Sequence, residues 1–249
     1  MVDFRSLEGT GDFYFIRHGE SEANLEGVIQ GRTHSRLTDK GRAQAREAGL
    51  WFKSRPLELI ISSPLERAAE TARLIAEALG IKEITYTEEL TEIDTGLFTS
   101  MSFVKAREGY PLVWKAFQHA SWEAVPDAER VGDLLKRAER TWGRLLELHA
   151  QGRRGILSVT NSGFLQWILK YTLGGTSWMP LLSASDNCCI SHLRVVNGAK
   201  EVGDGGDAMR AHLATWMMVN APVNSRSQAA SGKSRKPTAG AGGGVVPDP

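Results

Sequence analysis

The sequence predicts an α/β fold, a mostly parallel sheet with helices on both faces and a helical insertion. Three observations predict it. Short apolar runs alternate along the chain with longer stretches of helical spacing, the pattern of successive strand–helix units. Three of those runs end in small polar or charged residues, as strands do where an open sheet meets its ligand. The 249 residues also suffice for one sizeable domain with a buried core, or for two small ones.

The elements follow in order. Residues 13–17 are a short apolar run ending in a polar cluster, which reads as a buried strand. Residues 38–53 carry Ala43, Ala45, Ala48 and Leu50 at helical spacing, with Thr38 as the N-cap. A second strand is expected over 57–62. Ser63-Pro64-Leu65-Glu66 then combines a capping box with proline at the first helical position, opening a helix to Leu79. Residues 84–86 suit a third strand, and the acidic, Gly-containing stretch 88–99 a loop. Two helical stretches follow, about 102–117 and 127–149, expected to pack together beside the sheet. Residues 155–160 read as a fourth strand and 163–173 as the helix after it. Residues 188–196 and 212–219 read as closing strands.

The predicted domain spans 1–220. Residues 221–249 are rich in Ser, Gly, Ala, Pro and Lys and nearly devoid of bulky apolar groups, so a disordered tail is expected there. The formal net charge is +1, but the tail holds four basic side chains against one acidic, a net of +3. The rest of the chain therefore carries −2, which advertises neither nucleic acid nor an acidic membrane as partner. Residues 1–11 lack the apolar core of a secretion signal, and no stretch is apolar enough to cross a bilayer, so a cytoplasmic location is expected. Cys188 and Cys189 are adjacent, a poor arrangement for a disulfide or a metal site, and read as small apolar residues in a reduced compartment. Trp114, Trp122, Trp142, Trp167 and Trp178 read as packing groups.

The chemistry gathers at three strand ends. The first ends in Arg17-His18-Gly19-Glu20-Ser21. The second ends in Ser62-Ser63 and leads into a helix carrying Arg67. The fourth ends in Thr160-Asn161-Ser162-Gly163 and leads into another helix. Helix N-termini and arginines both favour anions, so one convergent, positively biased pocket is expected.

The motifs have a resemblance. Phe15-Ile16-Arg17-His18-Gly19-Glu20-Ser21 with Asn24 resembles the opening motif of the histidine phosphatase superfamily, the phosphoglycerate mutase-like enzymes. Leu37-Thr38 with Gly41 follows in that family's order. So do Ser62-Ser63-Pro64-Leu65 with Arg67-Ala68 and Thr71-Ala72, and Leu90-Thr91-Glu92-Ile93-Asp94 with Gly96. The resemblance covers about residues 13–220 and implies a phosphoglycerate mutase-like fold.

It also implies roles. His18 would attack phosphorus and form a phosphohistidine, which requires a neutral ring whose other nitrogen is held by a hydrogen bond. Arg17 and Arg67 would clamp the phosphoryl oxygens, and Asn24 would donate a further hydrogen bond, a turn role being its rival. Glu92 would act as general acid and then base, against the alternative of an ordinary solvated carboxylate among Glu88, Glu89 and Asp94. Asn161 and Ser162 are further phosphate-binding candidates; Ser21, Gln30 and Gly31 are candidates for substrate binding. His34, in the loop after the first strand, is the one other histidine to watch. The arginines supply the positive field, so neither a metal nor another cofactor is expected. The expected partner is a small phosphate ester; the sequence is silent on oligomeric state.

One position departs from the family. Asn161 stands where the family carries a second histidine that hydrogen-bonds the transferring group. A neutral amide in place of a charged donor is expected to cost up to about 3 kcal/mol, roughly a hundredfold in rate. On that view, Asn161→His would raise the rate if the site were merely weakened. Three readings follow: a metal-independent phosphomonoester hydrolase, a mutase returning the phosphoryl group to substrate, and a catalytically weakened phospho-ligand binding or regulatory protein.

Overall fold

A computed structural model describes residues 2–178, 186–197 and 212–223. Six strands form one sheet in the order β3-β2-β4-β1-β5-β6. The strands are β1 (Gly9–Arg17), β2 (Leu59–Ser62), β3 (Ile84–Tyr86), β4 (Gly155–Thr160), β5 (Ile190–Asn197) and β6 (His212–Ala221). The first four run parallel; β5 is antiparallel to β1, and β6 to β5. The sheet is thus mostly parallel, with an antiparallel hairpin along one side.

Alternation along β1 divides the core. Phe13 and Phe15 point to one face, where they meet Leu134, Trp142 and Leu145 of α6 (Val131–Ala150) and Phe164 and Trp167 of α7 (Ser162–Leu173). Tyr14 and Ile16 point to the other. There Ala45, Ala48 and Phe52 of α2 (Asp39–Phe52) and Ala68, Ala72 and Ile75 of α3 (Glu66–Leu79) cover them. Alanines at those spacings let the two helices lie close to the sheet and to each other.

Thr38 caps α2 as expected, its hydroxyl accepting from the Gly41 amide at 3.0 Å. The expected capping box at Ser63 does not form. The Ser63 hydroxyl accepts instead from the Leu65 amide at 3.2 Å, and α3 starts at Glu66, with Leu65 and not Ser63 at the N-cap and without a side-chain cap. Proline at 64 keeps Ser63 extended, and a short hydroxyl side chain then closes a local turn.

The insertion also differs from expectation. The stretch expected as one helix over 102–117 is two, α4 (Phe103–Gly109) and α5 (Pro111–Ala120), broken where Tyr110 adopts φ −134° before proline. These helices do not pack together with α6. They gather around Phe98, which is fully buried with Ile29, Ala106 and Val125 in a third cluster above the site end of the sheet. Helix α6 pairs with α7 instead. The acidic stretch 88–99 contains two 3-10 turns, Glu88–Leu90 and Gly96–Phe98.

Trp142, Trp167 and Trp178 are buried. Cys188 and Cys189 are free and buried, and burial pushes the Cys189 thiol up to about 11. The expected tail begins at Ala221, which closes β6; residues 224–249 lie outside the described residues. No described helix is long and apolar enough to cross a membrane.

Candidate active site

Each functional side chain sits where a parallel strand gives out. Arg17 is the last residue of β1, and His18 opens the turn that follows. That turn is clamped from several sides. The Gly19 amide donates to the Thr71 hydroxyl of α3 at 3.0 Å, and the His18 amide donates to the Thr160 carbonyl at 3.0 Å. Asn187 donates to the His18 carbonyl at 3.0 Å. A Cβ on either Gly19 or Gly41 would collide with backbone, of Gly41 and Glu20 respectively, so the turn lies directly against the start of α2.

His18 is 2% exposed. Its Nδ1 lies 2.7 Å from the Gly19 carbonyl oxygen, which can only accept, so Nδ1 carries the proton. Nε2 is then the lone-pair nitrogen, and the Arg67 Nε–H points to it at 3.2 Å. Burial, then the positive charges of Arg67 and Arg17, hold the imidazole well below its usual 6.5. The ring is neutral at neutral pH, with its Nδ1 proton tethered to the Gly19 carbonyl and its Nε2 lone pair facing Arg67.

Arg67 is fully buried and held by four acceptors. Its Nη1 donates to the Thr33 carbonyl at 2.7 Å and its Nη2 to the Gly31 carbonyl at 2.8 Å, which ties the loop after β1 to α3. Its Nε–H is shared, with the Asn161 Oδ1 at 2.9 Å closer than the histidine. Burial pushes this guanidinium down to about 10, and the Glu92 charge opposes that shift. One N–H on each terminal nitrogen remains for a ligand. Burial likewise lowers Arg17, countered by Glu92 and Asp186.

Glu92 docks on the N-terminus of α7. Its Oε1 accepts from the amides of Ile93 at 2.8 Å and Phe164 at 3.0 Å, and its Oε2 from Gly163 at 3.1 Å. The carboxylate thus does the capping that Asn161, formally at the N-cap, does not. Gly163 makes this possible, since a Cβ there would lie 2.6 Å from Oε1. The loop bearing Glu92 is gripped from behind. Arg137, 5% exposed and stacked 3.7 Å over Phe164, donates to the Thr91 carbonyl at 2.7 Å and pairs with Glu129 at 2.8 Å. Glu129 in turn accepts from the Asp94 amide at 3.2 Å and from Arg32 at 3.0 Å.

A cleft of about 240 Å³ brings together Arg17, His18, Asn24, Gln30, Gly31, Arg67, Glu92 and Ser162. Two candidates stay out of its lining. Ser21 is fully buried, capping α1 (Glu22–Leu25) and bridging Asn24 and Gln30. It orients two cleft residues and lies out of reach of a substrate. Asn161 is also fully buried, behind Arg67, with its Nδ2 donating to the Leu90 carbonyl at 3.2 Å. Both ends of its amide are engaged by the protein, so the expected direct phosphate contact is replaced by a contact to Arg67. Asn24 combines both roles weighed for it. Its Oδ1 closes the capping box with Ser21, and its amide sits on the cleft. His34 is exposed and outside the lining.

Sequence reasoning missed Asn187, Arg137 and Glu129. Only their contacts across the fold mark them, so no local pattern gave a signal. It also read Trp122 as packing, whereas Trp122 packs on Phe117 and lines the cleft as well. Among the described residues no group of three or more His, Cys, Asp or Glu is placed to hold a metal ion.

Fold and site together bring a neutral histidine, two arginines and a carboxylate into one cleft of an α/β sheet covered on both faces. The chain matches the histidine phosphatase superfamily (branch 1) over residues 13–207 and belongs to that family. A protein named "Probable phosphoglycerate mutase GpmB" from Salmonella arizonae is 33% identical over 184 residues, covering 72% of this chain and 83% of that one. The alpha-ribazole phosphatase from Shigella flexneri superposes with a TM-score of 0.67 at 25% identity, covering 85% of this chain and 96% of that one. A mycobacterial glucosyl-3-phosphoglycerate phosphatase gives a TM-score of 0.70 at 21% identity, over 85% and 99% of the two chains, a likeness of fold.

Proposed function

We propose that this protein hydrolyses small phosphomonoesters through a phosphohistidine on His18, without a metal. The observation that carries the reading is the state of that ring. It is neutral, with its proton committed to the Gly19 carbonyl and Nε2 turned toward Arg67 in the cleft that holds Arg17 and Glu92. A nucleophilic imidazole needs that arrangement.

In the first step Nε2 attacks phosphorus and the ester P–O bond breaks. Glu92, entering as the acid, gives its proton to the leaving oxygen. In the second step water attacks phosphorus, the P–N bond breaks, and the Glu92 carboxylate takes the proton of that water. Three amide donors occupy three of the roughly four acceptor sites of the carboxylate, leaving one for this traffic. Arg17, the remaining N–H groups of Arg67, and the side chains of Asn24 and Ser162 would hold the phosphoryl oxygens. Gln30 and Gly31 border the substrate. The charge demand is met by guanidinium groups, so the reading needs no metal or other cofactor.

The name of the Salmonella relative favours a second reading, return of the phosphoryl group to another hydroxyl of the substrate. Both readings share His18, and they part on whether inorganic phosphate is released.

Turnover of p-nitrophenyl phosphate in excess chelator tests the proposal. The wild type is expected to release phosphate, and His18→Ala to lose at least about a thousandfold in kcat/KM. Retained turnover in His18→Ala, or a rate that vanishes with chelator, would overturn it.

A further inference from the structure

Three charged residues line the cleft. They are Arg17, Arg67 and Glu92, with a neutral His18 between them. Apart from uncharged polar groups such as Gln30 and Thr95, the rest of its wall is apolar: Val28, Ile29, Ile93, Phe103 and Trp122. Two of these are aromatic, and neither is fully buried. Phe103 is 49% exposed and is held edge-on by Trp114, with ring centroids 6.0 Å apart. Trp122 is half-buried and wedged against Phe117 at 4.9 Å. The insertion therefore contributes two braced aromatic rings to the lining of the cleft.

Arg32 follows Gly31 in the chain, but its guanidinium donates to the Glu92 carbonyl at 3.2 Å and pairs with Glu129 at 3.0 Å, outside the lining. Residues 179–185 carry no charged side chain. A leaving group bearing a carboxylate or a second phosphate would meet no cation in the cleft lining beyond Arg17 and Arg67. It would also approach Glu92. Moving such a charge out of water without a partner is unfavourable, whereas an apolar group gains by leaving water.

We propose that this wall is a leaving-group subsite for uncharged, apolar and especially aromatic alcohols. Monoesters of aryl-alkyl alcohols are then the preferred substrate class over esters that carry a second anion. This rests on the hydrolase reading of the same site and names its substrate class.

The test uses three alkyl monoesters whose leaving alcohols are of similar intrinsic reactivity: 2-phenylethyl phosphate, glycerol 1-phosphate and 3-phosphoglycerate. The full-length chain is expected to give a kcat/KM for 2-phenylethyl phosphate at least about tenfold above that for 3-phosphoglycerate, with glycerol 1-phosphate between. Trp122→Ala is expected to shrink that ratio by about tenfold, mainly through KM. A ratio is independent of the folded fraction, and Phe103→Ala, at an exposed position, gives a second variant should Trp122→Ala fail to fold. Equal or better turnover of 3-phosphoglycerate, or a ratio unmoved by both variants, overturns the subsite while leaving the hydrolase reading intact. If none of the three esters is turned over, the hydrolase reading fails instead. Calorimetric binding of 2-phenylethyl phosphate and 3-phosphoglycerate to His18→Ala then decides the subsite by itself, tighter binding of the aryl-alkyl ester being the supporting result.

Discussion

At the scale of single residues, Asn161 changes meaning once its neighbours are visible. Its Oδ1 takes the Arg67 Nε–H at 2.9 Å, against 3.2 Å to His18 Nε2. An acceptor in that place draws the guanidinium proton away from the lone pair that must attack. A histidine at 161 would bring a bulkier ring into a fully buried position and break the contact with the Leu90 carbonyl. Asn161→His is therefore expected to leave kcat unchanged or to lower it, reversing the expectation drawn from the motif alone. Steady-state kinetics on folded protein decide, and a tenfold rise would show that the asparagine merely weakens the site.

At the scale of elements, the site is a set of helix starts and loops pinned to the sheet by glycines. The first turn of α7 receives Glu92 in place of a side-chain cap, and that exchange works only with no side chain at 163. Gly163→Ala is expected to push the carboxylate off the helix. Loss of the cap should cost about 1 kcal/mol of stability, and kcat should fall at least about tenfold with KM less affected. Urea unfolding and kinetics on one preparation measure both; an unchanged kcat would mean that the seat of Glu92 on α7 does not matter to turnover. The pair Arg137–Glu129 belongs to the same scale. It holds the backbone on both sides of Glu92, so the acid depends on α6 as much as on its own loop.

At the scale of the whole molecule, buried neutral histidines make stability depend on pH with a definite sign. His18 and His149 are both held below 6.5, His18 by burial and two arginines, His149 by burial and Arg154. The unfolded chain therefore binds protons first as pH falls. Their contribution is complete above about pH 6.5 and is lost as the pH drops below that value toward the lowered folded values. The urea midpoint is expected to decline from about pH 7.5 to about pH 5.5, and His18→Asn to gain on the wild type over that window. A constant difference between the two would contradict a neutral buried ring.

The same scale shows what was legible in the sequence. Strands β1, β2 and β4 and helices α2, α3 and α7 were readable because their apolar spacing is local, as is the Thr38 cap of α2. The convergence of Arg17, His18, Arg67 and Glu92 was readable because strand ends of a parallel sheet share one edge. What escaped depends on contacts far apart in the chain. Glu92 is seated on amides 71 and 72 residues away, and Asn187 holds a turn 169 residues away. No spacing announces such pairs. The break at Pro111 was available locally, since a proline disfavours helical backbone in the residue before it.

The central claim is that a covalent bond to phosphorus forms at one nitrogen. Mixing enzyme with excess 2-phenylethyl phosphate, quenching in alkali within one turnover, and mapping phosphorylated peptides by mass spectrometry tests it most directly. The account predicts a phosphoryl group on the peptide containing His18 that appears and decays at the rate of turnover. Turnover with His18 unmodified, or with the label on another side chain, would contradict it.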